Sequence, residues 1–360
     1  MSLVPPYVET LTPYLPGKPI EEVEREYGIS NVAKLASNEN PLGPSPRALA
    51  AAREACARVN LYPDGSAFYL KAALARKLSV RPEEIVVGNG SNEVLELLVR
   101  TFLGPDDETL TSANSFVVYK LATSAHGRRC VEAPMRDAHH YDLDAMAERL
   151  SPRTRLVFLA NPDNPNGTWF GTAALERFLA AVPRHVLVVL DEAYIEYVSE
   201  PGFPDGLELR KRHENLVVVR TFSKIYGLAG MRLGYGVLRP DLAGYFDRVR
   251  EPFNTSLVVQ AAGIAALDDE EHVRRSRELV ARERPFLSEG LRALGATVFP
   301  SQANFVLADV GRPGREIFEP LLREGVVVRP IGGPTCVRIT LGTRAENQKL
   351  LAALRKVLGK

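Results

Sequence analysis

The segment LVVVRTFSKIYGLAGMRLGYGVL, residues 216–238, places a turn rich in glycine and hydroxyl side chains between two short apolar runs. The runs, at 216–219 and 235–238, have the length and composition of buried strands. Lys224 follows the first run among apolar neighbours, and Arg232 stands shortly after it. Most lysines are solvated charges, but one held among apolar residues can lose its proton and form a Schiff base as a nucleophile. The segment therefore predicts a sheet with chemistry at a strand end.

The same alternation of apolar runs and helical patterns extends from about residue 70 to residue 268. Further strands are expected at 85–87, 109–111, 130–132, 156–159 and 186–190, with helices between most of them, such as 92–102, 143–150 and 172–181. Strands that alternate with helices predict an α/β fold, in which a mainly parallel seven-stranded sheet is covered by helices.

A second pattern follows residue 268, where a long charged helix is expected at 270–294. Strands at 296–299, 305–308, 326–329 and 337–340 and helices at 315–324 and 345–357 predict a smaller α+β domain. We therefore expect an N-terminal arm with part of the small domain at 1–51, a large domain at 52–268 and a small C-terminal domain at 269–360.

Composition excludes several classes of protein. The 45 Lys and Arg residues nearly balance the 44 Asp and Glu residues in this chain of 360, which argues against binding to nucleic acid or to a membrane surface. The three cysteines and the His139–His140 pair show no metal-ligand spacing, so we expect no metal site. No secretion signal or apolar stretch long enough to span a bilayer is evident, and we expect a cytoplasmic protein.

Two strand ends carry turn residues that could serve a ligand. Gly90, Ser91 and Asn92 lie in a glycine-rich turn between a strand and a helix, where backbone amides can approach a phosphate. Glu93 stands where a dinucleotide fingerprint would need glycine. The alternative is a plain turn in which Ser91 or Asn92 caps the helix. The loop at 159–167, LANPDNPNG, is either a rigid wall of the site or simply rich in turn residues.

A third strand ends in Asp191, directly after the apolar run at 186–190. A carboxylate in that place is costly unless a cation or a donor pairs with it, although it could also cap the following segment. Pyridoxal phosphate needs a lysine for its aldehyde, an anion beside its pyridinium nitrogen and a cup for its phosphate. Lys224, Asp191 and the Gly90 turn supply these parts, so the sequence predicts a pyridoxal 5'-phosphate site.

Segments along nearly the whole chain resemble fold-type I pyridoxal-phosphate-dependent aminotransferases and, more narrowly, the histidinol-phosphate aminotransferase family. The resemblance is carried by LTPY (11–14), LASNENPLGPSP (35–46), YPD (62–64), GNGSNEVLELLVRTF (88–102), SFVVY (115–119), NPDNPNG (161–167), DEAYIEY (191–197), RTFSKIYGLAGMRLGY (220–235) and VRITLGT (337–343). It implies transfer of the amino group of L-histidinol phosphate to 2-oxoglutarate, giving imidazole-acetol phosphate and L-glutamate, in histidine biosynthesis.

The resemblance also implies roles for individual residues. Lys224, Asp191 and Tyr194 would be catalytic: Lys224 would hold the cofactor and move the proton, and Asp191 would keep the ring nitrogen protonated. The implied cofactor-binding residues are Gly90, Ser91, Asn92, Phe116, Asn164, Asp191, Tyr194, Thr221, Ser223, Lys224, Arg232 and, from the partner subunit of a homodimer, Tyr62. The implied substrate-binding residues are Tyr14, Asn38, Arg329 and Arg338.

Three alternative functions and one alternative role for Arg329 stay open at this point. An aromatic amino-acid aminotransferase or a threonine-phosphate decarboxylase could use the same scaffold, because one arginine can hold a carboxylate or a phosphate. A non-catalytic ligand-binding protein would have no use for Lys224. The segment from Arg329 to Arg338 is short, so Arg329 could instead form an ordinary surface ion pair.

Overall fold

The computed structural model describes residues 3–13 and 17–360, so Tyr14 lies outside the described residues. The described strands are β1 (Ala33–Lys34), β2 (Ile85–Gly88), β3 (Glu108–Ser112), β4 (Arg129–Ala133), β5 (Thr154–Ala160), β6 (Leu187–Asp191), β7 (Leu216–Thr221), β8 (Gly234–Val237), β9 (Thr297–Val298), β10 (Phe305–Asp309), β11 (Val326–Val327), β12 (Arg329–Pro330) and β13 (Cys336–Thr340). The described helices are α1 (Pro6–Glu9), α2 (Ile20–Tyr27), α3 (Pro46–Ala55), α4 (Phe68–Leu78), α5 (Ser91–Phe102), α6 (Val118–Ala125), α7 (Leu143–Ala147), α8 (Thr172–Ala181), α9 (Gly206–Leu209), α10 (Pro240–Val249), α11 (Leu257–Leu267), α12 (Glu270–Ala293), α13 (Gly314–Arg323) and α14 (Arg344–Leu358).

A seven-stranded sheet of order β2-β8-β7-β6-β5-β3-β4 forms the centre of the molecule. Its pairs are parallel except those of β8, which runs antiparallel to both β2 and β7. Every residue of β6 is buried, as expected for a strand covered on both faces. The predicted α/β class with a mainly parallel seven-stranded sheet is confirmed.

Alternate residues of β5 show how both faces of this sheet are covered. Phe158 packs in one apolar cluster with Leu95 and Leu98 of α5. Val157, next to it in the chain, packs in another cluster with Phe178 of α8. Because successive strand side chains point to opposite faces, helices on both sides are needed to bury this strand.

A second, antiparallel sheet of order β12-β13-β10-β9 lies in the C-terminal third of the chain. The expectation of one continuous strand at 326–329 was wrong. Val326 and Val327 pair in parallel with Ala33 and Lys34 of β1, whereas β12 pairs with β13. The chain therefore changes partner within this segment. The domain boundaries expected from the sequence stay a prediction.

Candidate functional site

A cavity of about 290 Å³ opens at the carboxyl ends of β5, β6 and β7. This is the edge where open α/β sheets bind ligands. The cavity brings together the following residues singled out from the sequence: Asn38, Ser91, Asn92, Phe116, Asn164, Asp191, Tyr194, Thr221, Ser223, Lys224, Arg232, Arg329 and Arg338.

Lys224 lies in the turn after β7, with its amine inside the cavity. Its Nζ donates a hydrogen bond to the carbonyl oxygen of Ser37 over 3.1 Å. Burial lowers the pKa of Lys224 to about 7, and the positive charge of Arg338 adds to that effect. The amine is therefore neutral in a large fraction of molecules near pH 7, as a nucleophile or a general base must be.

Asp191 is the last residue of β6 and is buried at the floor of the cavity. The hydroxyl of Tyr119 donates to its Oδ2 over 2.9 Å, and the amide of Ala193 donates to its Oδ1 over 3.2 Å. Burial raises the pKa of Asp191 to about 6. A cationic ring nitrogen beside this carboxylate would favour its charged form, so the site fits a pyridinium group. The contact with Ala193 also agrees with the capping alternative.

The N-terminal arm supplies one wall of the cavity through Asn38. Its Nδ2 donates to the hydroxyl of Tyr194 over 3.0 Å, and its backbone amide donates to Thr340 Oγ1 over 2.8 Å. Burial raises the pKa of Tyr194 to about 12, so its hydroxyl keeps its proton at neutral pH. Tyr194 can therefore donate that proton in a hydrogen bond to an anionic oxygen of a ligand.

Two arginines lie opposite each other in the antiparallel pair of β12 and β13, where Arg329 is in register with Arg338. The Nη1 of Arg338 donates to Asn164 Oδ1 over 2.6 Å, which leaves the Asn164 Nδ2 as the donor of that amide. The Nη2 of Arg338 donates to the carbonyl of Ala36 over 2.6 Å. Like charges at opposed positions repel, so an anion between the guanidinium groups would relieve the repulsion.

The start of α5 forms a cup for an anion. Gly90 precedes the helix with φ +82°, and no side chain caps it. The predicted alternative, a cap by Ser91 or Asn92, is therefore not what the structure has. A Cβ at Gly90 would collide with the guanidinium of Arg232. The helix amides and this arginine thus face the same space, which favours a phosphate there.

Two hydroxyl residues complete this cup. Arg232 has φ +59°, and its Nη1 donates to Ser223 Oγ over 3.3 Å and to the carbonyl of Ala229 over 2.9 Å. The amide of Ser223 donates to Thr221 Oγ1 over 3.1 Å, which fixes the turn that leads to Lys224. Lys224 and the part of the cup made by Thr221, Ser223 and Arg232 are consequently held by one short segment of chain.

Phe116 and Tyr119 form an aromatic part of the cavity lining. Their rings meet edge to face, with 5.5 Å between centroids, and Tyr119 stacks on Phe158. Sequence reasoning missed Tyr119 as a site residue. The signal available was its place three residues after Phe116, which puts both side chains on one face of a helical turn. Its bond to Asp191 depends on how α6 crosses the sheet, and no sequence pattern shows that.

Tyr62 is not part of the cavity. Its side chain is 81% exposed and stacks on Phe253, with 4.8 Å between ring centroids. It borders a separate groove together with Val59, Leu61 and Leu257. The structure therefore separates Tyr62 from the other predicted cofactor residues of the same chain.

Glu192, next to Asp191, serves a structural ion pair. It is fully buried, and its Oε2 accepts from Arg220 over 2.8 Å, joining the ends of β6 and β7. In residues 3–13 and 17–360, no group of three His, Cys, Asp or Glu side chains is placed to hold a metal ion. Over the same ranges, no helix has the length and apolar character needed to cross a membrane.

Comparison with known proteins agrees with this geometry. Residues 30–354 match the model of the family "Aminotransferase class I and II". A histidinol-phosphate aminotransferase of Anaeromyxobacter sp. (strain Fw109-5) is 68% identical to this chain, and the match covers 100% of both chains. A histidinol-phosphate aminotransferase of Moorella thermoacetica is 49% identical, and the match covers 97% of this chain and 91% of the relative.

Solved structures show the same likeness. The histidinol-phosphate aminotransferase of Sinorhizobium meliloti in complex with pyridoxal-5'-phosphate has a TM-score of 0.91 and 33% identity, covering 100% of this chain and 98% of that chain. A double mutant of Thermus thermophilus aspartate aminotransferase has a TM-score of 0.84 and 26% identity, covering 99% of this chain and 100% of that chain.

Proposed function

The chain belongs to the class I and II aminotransferases, and on that premise we propose that it moves the amino group of L-histidinol phosphate to 2-oxoglutarate. The products are imidazole-acetol phosphate and L-glutamate, in histidine biosynthesis. The observation that carries the proposal is the register of Arg329 and Arg338, which presents two guanidinium groups to the cavity that contains Lys224. A relative that is 68% identical bears the name of this activity.

Pyridoxal phosphate is the cofactor of this family, and the donors in the cavity match its parts. When bound, it supplies an aldehyde for amine exchange and a ring that accepts the electron pair released at the substrate's Cα. Asp191 would hold the ring nitrogen, and the α5 amides with Ser223 and Arg232 would hold the phosphate. Thr221 would add a hydroxyl, Phe116 would stack on the ring, and Asn164 and Tyr194 would bind the ring oxygen.

Lys224 is the group that would move the proton. Its pKa of about 7 means that its amine can take up a proton and release it again at neutral pH. Its Nζ lies 5.8 Å from the centroid of the Tyr194 ring, and both residues line the same cavity. Because the same amine can take the proton from one carbon and release it at another, the proton would be returned within the site.

The arginine pair explains how one site could serve two substrates. The planar guanidinium of Arg338 suits a carboxylate or a phosphate, each bound by two parallel hydrogen bonds. Histidinol phosphate would place its phosphate there, and 2-oxoglutarate would place a carboxylate there after the first product leaves. Asn38 would close the wall over either substrate. The two half-reactions would therefore alternate in one cavity, with ping-pong kinetics.

A homodimer is the assembly that we propose. Several apolar side chains in the groove beside Tyr62 and at the start of α4 are strongly exposed: Val59, Leu61, Tyr62, Phe68 and Tyr69. Such exposure is costly in water, and a second copy of the chain would cover these side chains. In that arrangement Tyr62 would reach the cofactor phosphate of the partner. The cytoplasmic location expected from the sequence stays a prediction.

Single-turnover titration tests the substrate. The cofactor-loaded protein is mixed separately with histidinol phosphate, phenylalanine, aspartate and threonine phosphate, and the loss of the cofactor's visible absorbance is followed. We expect histidinol phosphate to react at least about 100-fold faster than the other amines, because only it offers the phosphate and the imidazole together. A preference for phenylalanine would make the protein an aromatic aminotransferase, and failure to bind pyridoxal phosphate would overturn the enzymatic proposal.

A matched pair of arginine variants sharpens this test. Arg329→Ala removes one guanidinium from the cavity, whereas Arg323→Ala removes an exposed one at the end of α13. We expect Arg329→Ala to raise KM for histidinol phosphate by about tenfold or more, in line with the loss of one charge-assisted hydrogen bond. Arg323→Ala should leave it unchanged. Equal effects of the two variants would contradict the assignment of the phosphate to the arginine pair.

A further inference from the structure

Asp163 is a buried carboxyl group that the chemistry above does not use. It lies in the loop after β5 and is 0% exposed. Its Oδ1 accepts from Ser115 Oγ over 2.5 Å, and its Oδ2 accepts from Asn166 Nδ2 over 2.6 Å. Burial raises the pKa of Asp163 to about 7, against the effect of these donors. Burial of this carboxyl group costs free energy, so a role for Asp163 beyond stability is worth seeking.

The contacts of Asp163 continue into a chain of hydrogen bonds. The hydroxyls of Ser115 and Tyr141 are 2.7 Å apart, and the Tyr141 hydroxyl accepts from the amide of Ala160 over 3.0 Å. If each hydroxyl donates once, the chain has one direction: Tyr141 donates to Ser115, and Ser115 donates to Asp163. This chain joins the end of β5, the loop after it and the segment that precedes α6.

The two ends of this link are neighbours of two cavity walls. Ser115 lines the cavity itself and precedes Phe116, which also lines it. Asp163 precedes Asn164, whose Oδ1 accepts from Arg338. The backbone of Asp163 is itself fixed, because its amide donates to the carbonyl of Thr168 over 2.8 Å. The Ser115–Asp163 bond therefore sets how far apart Phe116 and Asn164 are held.

We propose that Asp163, acting through Ser115, is a positioning residue that fixes Phe116 relative to Asn164, both of which would contact the cofactor ring. The inference rests on the proposed function, since it needs the ring in this cavity. Neither Asp163 nor Ser115 would move a proton to the substrate. Their effect would be on the affinity for pyridoxal phosphate and on the hydrogen bond that Asn164 gives to the ring oxygen.

The chain offers a matched control at the opposite end of the same sheet. Ser151 Oγ donates to Glu108 Oε1 over 2.7 Å, so it is also a half-buried serine bonded to a buried carboxylate. Removing either hydroxyl takes the serine donor away from a carboxylate oxygen, and the two losses should lower the free energy of unfolding by similar amounts. Only the loss of the Ser115 hydroxyl should reach the cavity.

The experiment compares Ser115→Ala, Ser115→Thr and Ser151→Ala as cofactor-free proteins titrated with pyridoxal phosphate. We expect Ser115→Ala to raise the dissociation constant of pyridoxal phosphate by about tenfold. Ser115→Thr, which keeps a hydroxyl, should stay within about threefold of the wild-type constant, and Ser151→Ala should leave the constant unchanged. The pH at the midpoint of the bound cofactor's absorption change should rise in Ser115→Ala. A weaker hydrogen bond to the ring oxygen stabilises that oxygen's negative charge less, and this favours the protonated form of the bound cofactor. Melting temperatures of the cofactor-free proteins give the structural cost separately.

A second variant keeps the inference testable if Ser115→Ala does not fold. Asp163→Asn keeps one oxygen to accept a hydrogen bond, and we expect it to weaken cofactor binding about threefold with the same upward shift of the absorption midpoint. The positioning role is overturned if these variants lower the melting temperature but bind the cofactor as the wild type does. Failure of the wild type to bind pyridoxal phosphate would instead overturn the proposed function.

Discussion

Lys224 shows at the scale of one residue how the fold prepares an amine for chemistry. Burial disfavours its charged form, and Arg338 adds a repulsive charge, while Glu39 and Asp191 act in the opposite direction. The outcome is a pKa of about 7 instead of the ordinary lysine value of 10.5. The protein therefore loses stability by holding this residue, as is common for catalytic groups.

Removal of that amine should stabilise the cofactor-free protein in a pH-dependent way. Because the pKa of Lys224 is lower in the folded state, the unfolded chain binds more protons between about pH 7 and 10.5, and wild-type stability rises with pH over that range. We expect Lys224→Met to raise the free energy of unfolding by roughly 5 kcal/mol at pH 6. The gain should shrink towards pH 10, as measured by urea unfolding.

The exposed Lys211→Met provides the control for this measurement. Lys211 pairs with Glu208 on the surface, so its loss should change stability by less than about 1 kcal/mol at any of these pH values. A gain from Lys224→Met that did not depend on pH would show that packing, and not the buried charge, causes it.

Single residues were predictable from the sequence where a strand leads directly into them. Asp191 ends an apolar run, and Lys224 stands in the turn after another, so the edge that they share followed from the strand pattern. The bonds of Tyr119 to Asp191 and of Asp163 to Ser115 were not predictable. Each joins residues that are far apart along the chain, and one sequence carries no sign of those distances.

The start of α5 is where an element of structure makes the site. Gly90 has φ +82°, which L residues rarely adopt, and it lies against the guanidinium of Arg232. The glycine therefore meets two demands, since the chain must turn here and the arginine must come close to the helix amides. Any side chain at this position would separate the two donors of the anion cup.

Substitution of this glycine should weaken cofactor binding beyond the cost of strain. Gly90→Ala is compared with Gly311→Ala, where φ is +69° and nothing lies within 4 Å of the added Cβ. Both should lose about 1 kcal/mol of unfolding free energy from the backbone conformation. We expect only Gly90→Ala to raise the dissociation constant of pyridoxal phosphate, by about tenfold or more, in a fluorescence titration. Equal affinities in the two variants would remove Gly90 from the cup.

Among the elements of structure, strands were predicted well from the sequence where the whole apolar run pairs within one sheet. The expected runs at 305–308 and 337–340 fall within β10 and β13. The run at 326–329 reads as one strand, but its first half pairs with β1 from the N-terminal arm. Hydrophobic periodicity reports burial and not partner, so a change of partner inside one run leaves no trace in it.

The molecule as a whole is predicted to work as a pair of chains with shared sites. Tyr62→Phe should weaken cofactor retention, and Lys224→Ala should abolish transamination while leaving the fold intact. When equal amounts of the two variants are mixed and reassembled, half of the dimers contain one chain of each variant. Each of these mixed dimers has one complete site out of two, so about a quarter of wild-type activity should return at limiting cofactor. Tyr245→Phe, which changes an exposed tyrosine of α10, is the control. No recovery on mixing would mean that each chain completes its own site.

The large sheet and the cofactor class were open to sequence reasoning because local patterns specify them. The closing of the N-terminal arm on the C-terminal sheet was less accessible. Its contacts join residues that are far apart in the chain, as when Asn38 donates to Thr340. The position of Arg329 opposite Arg338 likewise depends on the register of a two-residue strand. A pattern that short does not distinguish a strand from a turn.

The pairing of β1 with β11 also has a consequence for how the protein is made. Ala33 emerges from the ribosome nearly 300 residues before its partner Val326. At typical synthesis rates this interval lasts about 15 to 60 seconds. Throughout it the arm has no strand to bind, and the Asn38 wall cannot form until Thr340 has been translated. The pace of translation therefore sets how long a nascent chain exposes its N-terminal arm to proteases and chaperones.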